Sequence, residues 1–282
     1  MRAADRRRTS WLRIREEVDP WTARGLGLLP LVLLYLLWCY LTHDAQRGMV
    51  ESRIVSVSIL PSPREMFSRD TLQTLWFQKE LSRSAVVSLS RVVCGFSIAA
   101  AIAVPLGVLM GAFNKVDAAF RPLAVAGSYL PVAALVPLTL VWFGTGESQK
   151  IGFLAIATFV FLLPVVVKAI RDVDDILVRT AATQGATRAQ IVTKVLLPVA
   201  WPDIYNGLRV GFGVAWSWII LAEVVAAERG LGFIINVAQS RGTNMGIVYL
   251  TLATIVLLAF ALDRLWALGF QALFPYRRGS HE

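Results

Sequence analysis

The sequence predicts an all-α, polytopic membrane protein with about six transmembrane helices and one cytoplasmic helix–turn–helix. Three observations carry that reading. Apolar residues come in membrane-length blocks rather than interleaved with polar ones, which marks lipid as the solvent. The chain is 56% hydrophobic and 17% charged, with a mean hydropathy of +0.60, whereas soluble domains carry about 25% charge. A polar stretch with its own capping signals, Arg179-Thr-Ala-Ala-Thr-Gln-Gly185-Ala-Thr-Arg-Ala-Gln-Ile-Val-Thr-Lys-Val195-Leu-Leu-Pro198, separates two of the blocks.

Taken in order, the apolar runs are Leu26–Leu41, Val92–Ala112, Leu123–Phe143, Ile151–Val167, Leu208–Ala227 and Ile247–Phe270. A span needs about 20 apolar residues at 1.5 Å each. The first run is short and extends if Thr22–Gly25 join it. Pro105, Pro131, Pro137 and Pro164 fall inside spans, where bends are expected. Seven arginines precede the first run, as in a signal peptide. No small-residue cleavage pattern follows Leu41, so an uncleaved span is expected. A loop with Leu60-Pro-Ser-Pro63 and a surface helix near Arg64–Leu81 should connect it to the second span.

Orientation follows from lysine and arginine bias. With the N-terminus inside, sixteen of these residues are cytoplasmic, among them Arg2, Arg6, Arg8, Lys115, Arg171 and Arg278. Nine lie outside, six of them in one loop whose acids nearly balance them. The expected organisation is a basic cytoplasmic segment at 1–25, a transmembrane domain at 26–270 and a cytoplasmic tail at 271–282. Within the domain, 42–84 forms the extracytoplasmic loop and surface helix, and 168–206 forms the cytoplasmic loop. Both termini are cytoplasmic.

The net charge of +9 is a topology signal. The arginines cluster beside apolar runs, and no basic-aromatic module for nucleic acid is visible. Cys39 and Cys94 sit inside apolar runs, and His43 and His281 are isolated, so neither a disulfide framework nor a metal site is expected. No Cys/His cluster, HExxH or serine-nucleophile pattern points to catalysis. Gly144-Thr-Gly146-Glu-Ser-Gln-Lys150 resembles a phosphate loop only superficially, because the Gly-Lys-Ser/Thr ending is absent.

In the polar stretch, Val173, Ile176, Leu177, Thr180 and Ala181 share one helical face. Gly185 is placed to close that helix in a left-handed conformation. Thr187-Arg-Ala-Gln190 is a capping-box pattern opening a second helix. Ile191, Val192, Val195 and Leu196 continue an apolar face, and Pro198 and Pro202 are expected to end it. Pattern alone leaves open an amphipathic hairpin lying on the bilayer surface.

At these residues the chain resembles the membrane (permease) subunits of binding-protein-dependent ATP-binding-cassette importers. Their signature reads Glu-Ala-Ala, three residues, Gly, nine residues, Ile, one residue, Leu-Pro. Ala181, Gly185, Val195 and Leu197-Pro198 match it in spacing. Arg179 replaces the acid and Thr180 the first alanine. Leu60-Pro-Ser-Pro63, Ser88-Leu-Ser-Arg91 with Gly95-Phe96, and Leu130-Pro131 with Leu135-Val-Pro137-Leu138 resemble the sulfonate, taurine and nitrate branch. So do Trp142-Phe-Gly144 and Glu223 followed by Gly230-Leu-Gly232.

The resemblance implies a type I importer fold in the bacterial inner membrane. It implies that Ala181, Ala182, Gly185, Ala186, Ile191, Val195, Leu197 and Pro198 form a coupling element. That element would dock on two ATP-binding-cassette ATPase subunits, which would hold ATP and Mg. A second permease copy, as a homodimer, and a periplasmic or lipoprotein substrate-binding protein complete the expected assembly. This chain is expected to bind no cofactor or metal and to be non-catalytic. A secondary transporter or channel without an ATPase is the alternative, and it would usually show intramembrane acids or inverted repeats.

Inside the spans, Arg91 and Arg209 are expected to snorkel to the interface. Asp263 and Arg264 are adjacent and need not pair. Glu223, about 24 Å along its helix from Gly207, should lie near the outer mouth and pair with Arg229 or Arg241, or gate the pathway. Tyr129, Thr139, Trp216, Ser217 and Glu223 are candidates to line that pathway. Few acids lie in the spans, which suits an anionic solute.

Overall fold

The computed structural model describes residues 18–43, 55–56, 59–78, 80–240 and 245–277. Arg2 to Arg15, Arg47, Arg53, Lys79, Arg241 and Arg278, on which the charge count leans, lie outside them. The described chain is helical, and it divides into two compact units, Met1–Arg64 and Glu65–Glu282.

In the first unit, α1 (Pro20–Leu41) starts where Asp19 accepts the Trp21 N–H at 3.2 Å and Pro20 occupies the first turn, where no N–H is needed. It is apolar on every side, as a lipid-bathed helix must be. Its end is tied by the Trp38 indole N–H, which donates to the Pro61 carbonyl at 2.9 Å.

The expected surface helix at Arg64–Leu81 is instead broken into α2 (Pro63–Met66), α3 (Arg69–Gln73) and a π turn at Thr74–Gln78. Ser68 opens the second piece by accepting the Thr71 N–H at 3.3 Å. Glu80, at φ 46°, separates these pieces from α4 (Leu81–Ala112).

The core of the second unit is α4 against α7 (Glu147–Arg171). Glycines set their spacing. A Cβ on Gly95 would stand 2.6 Å from Leu154, one on Gly107 2.7 Å from Val166, and one on Gly111 2.6 Å from Ile170. Helices in lipid associate through such small-residue contacts, because no hydrophobic force pushes them together.

The third predicted span, Leu123–Phe143, is not one rod. It is α5 (Asn114–Ser128), a 3-10 turn at Val132–Ala134 and α6 (Leu135–Phe143), bent by 88°. Pro131 removes a donor and forces Leu130 out of the helical region. Among the described residues, five helices are long and apolar enough to cross a membrane, or six if this bent pair counts as one span.

After α7 come the short helices α8 (Asp175–Thr183) and α9 (Arg188–Ile191). A π turn at Val192–Leu196 then leads into α10 (Leu197–Ala226). The expectation that Pro198 and Pro202 end the second loop helix is therefore overturned. The Leu197 N–H bonds the Val192 carbonyl five residues back. The ladder thus shifts at the π turn, and Pro198 falls in the first turn of α10, where its missing N–H costs little. Sequence reading also missed α11 (Leu231–Ser240), which precedes α12 (Met245–Leu273).

Chain direction sorts the features. The starts of α4 and α7 and the finish of α10 share one end of the bundle. The loop from α7 through α8 and α9 to α10 lies at the other, the loop end.

Candidate functional site

At the loop end the local caps form as their spacing requires. Asp174 accepts the Ile176 N–H at 2.9 Å and opens α8. Gly185 closes it at φ +79°. Its N–H bonds Ala182 O at 3.0 Å and the Ala186 N–H bonds Ala181 O at 3.1 Å, which together make a Schellman closure. Thr187 and Gln190 then form the capping box, with the Thr187 N–H donating to Gln190 Oε1 at 2.8 Å and the Gln190 N–H to Thr187 Oγ1 at 3.4 Å. Five otherwise orphaned backbone groups are satisfied within the loop itself.

The face that anchors this element differs from the one predicted. Of the Val173, Ile176, Leu177, Thr180 and Ala181 row, only Val173 is buried. Val178, Ile191, Val192 and Leu197 pack instead on a cluster of Val108, Val166, Ile170, Leu196, Ala200 and Ile204. Ile176 is left 67% and Leu177 43% exposed. The α7–α10 base turns the helix by one position, so an apolar pair faces away from the bundle. Ala181, Ala186, Ile191, Val195 and Leu197 are half-buried, while Ala182, Gly185 and Pro198 are exposed. Nothing stands within 4 Å of where a Cβ on Gly185 would point.

A second assembly occupies the opposite end. Arg91 on α4 donates to Glu147 from Nε at 2.6 Å and from Nη2 at 2.5 Å. Its Nη1 donates to Glu223 Oε1 and to the Arg229 carbonyl, both at 2.7 Å. The Ser88 hydroxyl, one turn earlier, donates to the Glu223 carboxylate at 2.7 Å. Glu223 Oε2 accepts the Gly232 N–H at 2.9 Å, and Ser88 Oγ accepts the Leu231 N–H at 3.0 Å. Glu223 thus caps α11 from another helix, with its negative charge at the positive end of the dipole. Gly230, at φ +129°, and Gly232 make room, because a Cβ on either would overlap Glu223.

The structure corrects the sequence reading here. Arg91 does not snorkel. It is 3% exposed and bidentate to a carboxylate, and that pairing replaces water. Arg209 likewise makes two 2.6 Å bonds to Asp263. Asp263 thus pairs with Arg209, and its neighbour Arg264 sits over the Phe260 ring at 5.6 Å. Glu223 is a tie, but to Arg91. Arg229 contributes only its carbonyl, and Arg241 lies outside the described residues.

Of the pathway candidates, Thr139, Trp216 and Glu223 are buried within the chain. Thr139 accepts the Gln149 amide at 3.2 Å, and the Trp216 indole donates to Ile255 O at 3.2 Å. Tyr129, at 82% exposure, and Ser217 remain on the surface. Among the described residues, no group of three or more His, Cys, Asp or Glu is placed to hold a metal ion.

Residues 103–269 match the family described as "Binding-protein-dependent transport system inner membrane component". The chain is 32% identical over 228 residues to the taurine transport system permease protein TauC of Escherichia coli, covering 78% of this chain and 80% of that protein. It is 32% identical over 247 residues to the riboflavin transport system permease protein RibX of Chloroflexus aurantiacus, covering 86% of each. Over 186 residues it is 30% identical to the bicarbonate transport system permease protein CmpB of Synechococcus elongatus, covering 62% of this chain and 67% of that one. Among solved structures, an inward-facing MetNI methionine ABC transporter chain shares the fold, with a TM-score of 0.64 at 23% identity over 73% of this chain and 99% of that one. With five to six membrane-length helices, a capped loop at the signature spacing and relatives matched over most of its length, the chain belongs to the family of inner-membrane components of binding-protein-dependent transport systems.

Proposed function

We propose that two copies of this chain form the translocation pathway of an ATP-driven importer for a small anionic solute, of the sulfonate, taurine or nitrate kind. An external binding protein delivers the solute, and two ATP-binding-cassette subunits hold ATP and Mg. In this reading the loop end is cytoplasmic and the membrane is the bacterial inner membrane. The chain catalyses nothing itself. Closure of the ATPases moves α8 and α9, and the α7–α10 base transmits that movement to the bundle.

One observation carries the coupling role. An element stiff by its own hydrogen bonds presents exposed Ile176 and Leu177 away from the bundle. A self-capped helix transmits displacement, whereas an uncapped loop would absorb it. The anionic cargo is supported by the scarcity of acids in the spans and by the taurine and bicarbonate relatives.

The test is Gly185→Trp, read against Gly185→Asn. Asparagine tolerates the left-handed conformation, and its small side chain projects into open space. Gly185→Asn should keep most of the uptake. Gly185→Trp should insert normally and leave ATP hydrolysis running, while uptake falls roughly tenfold, a loss of about 1.4 kcal/mol of coupling. Full uptake by the Trp variant would remove the docking role from this loop.

A further inference from the structure

A cleft of about 380 Å³ lies at the loop end between α5 and α7. Val125, Pro164 and Val167 give it apolar walls, and three cations, Arg121, Lys168 and Arg171, stand around its mouth. Asp117 organises two of them. It is 5% exposed, and its Oδ2 accepts from Arg121 one turn along α5 and from Arg171 across the cleft at 2.7 Å. One carboxylate shared by two guanidiniums leaves unspent positive charge. Lys168 adds to it, since its side chain makes no ion pair or hydrogen bond among the described residues. Asp172 is the one other acid of the lining, so three cations face two carboxylates. Each guanidinium carries five N–H donors in a planar fork suited to oxyanions.

The other end of the cleft reaches Ser128, the last residue of α5. There the backbone leaves the helix and turns through 88°, with Tyr129 and Leu130 both more than half exposed. Irregular backbone at membrane depth persists only inside protein or beside a water-filled cavity. From Asp117 to Ser128 is about 16 Å at 1.5 Å per residue, roughly half of a bilayer core. The cleft therefore joins the bend to a basic mouth.

Resting on the anionic-solute reading above, we infer that this cleft is the inner half of the translocation pathway. Arg121, Arg171 and Lys168 form in it a binding site for the solute's oxyanion group, and Asp117 is the positioning residue that holds the two arginines together. The same chemistry would suit a lipid phosphate, so the experiment separates the two sources.

The full transporter, permease pair with its ATPases, is placed in phosphatidylcholine nanodiscs, and methanesulfonate is the probe in saturation-transfer NMR, which reads weak binding. The wild type should give a signal that inorganic phosphate competes away. Arg121→Gln with Arg171→Gln should weaken binding roughly tenfold. Lys168→Gln, an exposed position whose variant will fold, should weaken it about threefold. Arg121→Lys with Arg171→Lys should retain part of it. Unchanged signals in both Gln variants would overturn the site. Loss of the wild-type signal on adding phosphatidylglycerol, with that lipid retained in native mass spectra, would also overturn it by assigning the cleft to lipid. Receptor-dependent uptake in proteoliposomes is measured in parallel. A wild type that imports no anionic solute sinks the functional reading itself, whereas normal uptake with unchanged NMR signals sinks only the site.

Discussion

At one end of the bundle Arg91 reaches residues 56 and 132 positions away in sequence, and Leu231 reaches Ser88 across 143. At the other end Thr187 and Gln190 reach each other across three. Both ends are held by polar contacts, but with opposite mechanical consequences. The long-range network fastens α4, α7, α10 and the start of α11 to one another, so none of these can move there without separating buried charge from its partner. The loop is stiff within itself and is held to the bundle through side chains such as Val178 and Ile191. In the function proposed above, the first end is the fulcrum, and the second is the rigid piece that the ATPase partner pushes.

Breaking the first end should produce the largest effect. Arg91→Ala leaves Glu223, at 0% exposure, with its charge uncompensated. Removing one partner of a buried pair costs about 3–5 kcal/mol. The purified protein should melt well below the wild type in a thermal scan. Arg91→Ala combined with Glu223→Gln should recover part of that loss, because the remaining amide still accepts from Ser88 and Gly232. A single variant melting like the wild type would show that water already reaches Glu223 and that the fulcrum is not there.

That contrast also explains what was legible in the sequence. Gly185, Thr187 and Gln190 were readable because capping interactions span a few residues and have fixed spacing. The glycines of Gly230-Leu-Gly232 were visible as a pattern, but their reason was not. It lies in Glu223, whose carboxylate fills the space a Cβ on Gly230 would need and whose own Cβ crowds Gly232. Arg91 looked like a snorkelling arginine because its partners sit on other helices, and pairing across helices leaves no periodic signal. The rotation of α8 that packs Val178 rather than Ile176 against the bundle was hidden for the same reason, being set by Ile170 and Leu196 from outside the helix. The break between α5 and α6 was half legible. Pro131 announced a bend, but the chain does not carry the size of the bend in its local chemistry.

Thr187→Ala tests the loop end at a smaller scale. It removes the hydroxyl that accepts the Gln190 N–H, and the loss of such a cap costs about 1 kcal/mol. Because the interaction is local, the global melting temperature should barely change. Amide exchange should instead quicken selectively in residues 188–191. A global destabilisation as large as that of Arg91→Ala would mean that the loop is fastened to the bundle as tightly as the opposite end, and the distinction between the two would fail.

The smallest effect sharpens the comparison by separating charge from burial. Arg83 pairs with Glu80 at 3.2 Å, two turns before Arg91 at the same end of the molecule. Both side chains are more than half exposed, so water and salt already screen them. Such pairs contribute about 0–1 kcal/mol, and those within one helix turn sit near the low end. Arg83→Ala should therefore shift melting by less than the scatter between preparations, and the shift should vanish at 0.5 M salt, where the screening length is only about 4 Å. The Arg91 effect should survive the same salt, because that ion pair is 3% exposed on one side and closed on the other. If the two variants lost stability alike and responded to salt alike, the strength of this end would come from the mere number of charges there. Arg91 would then owe nothing to its place between Glu147 and Glu223.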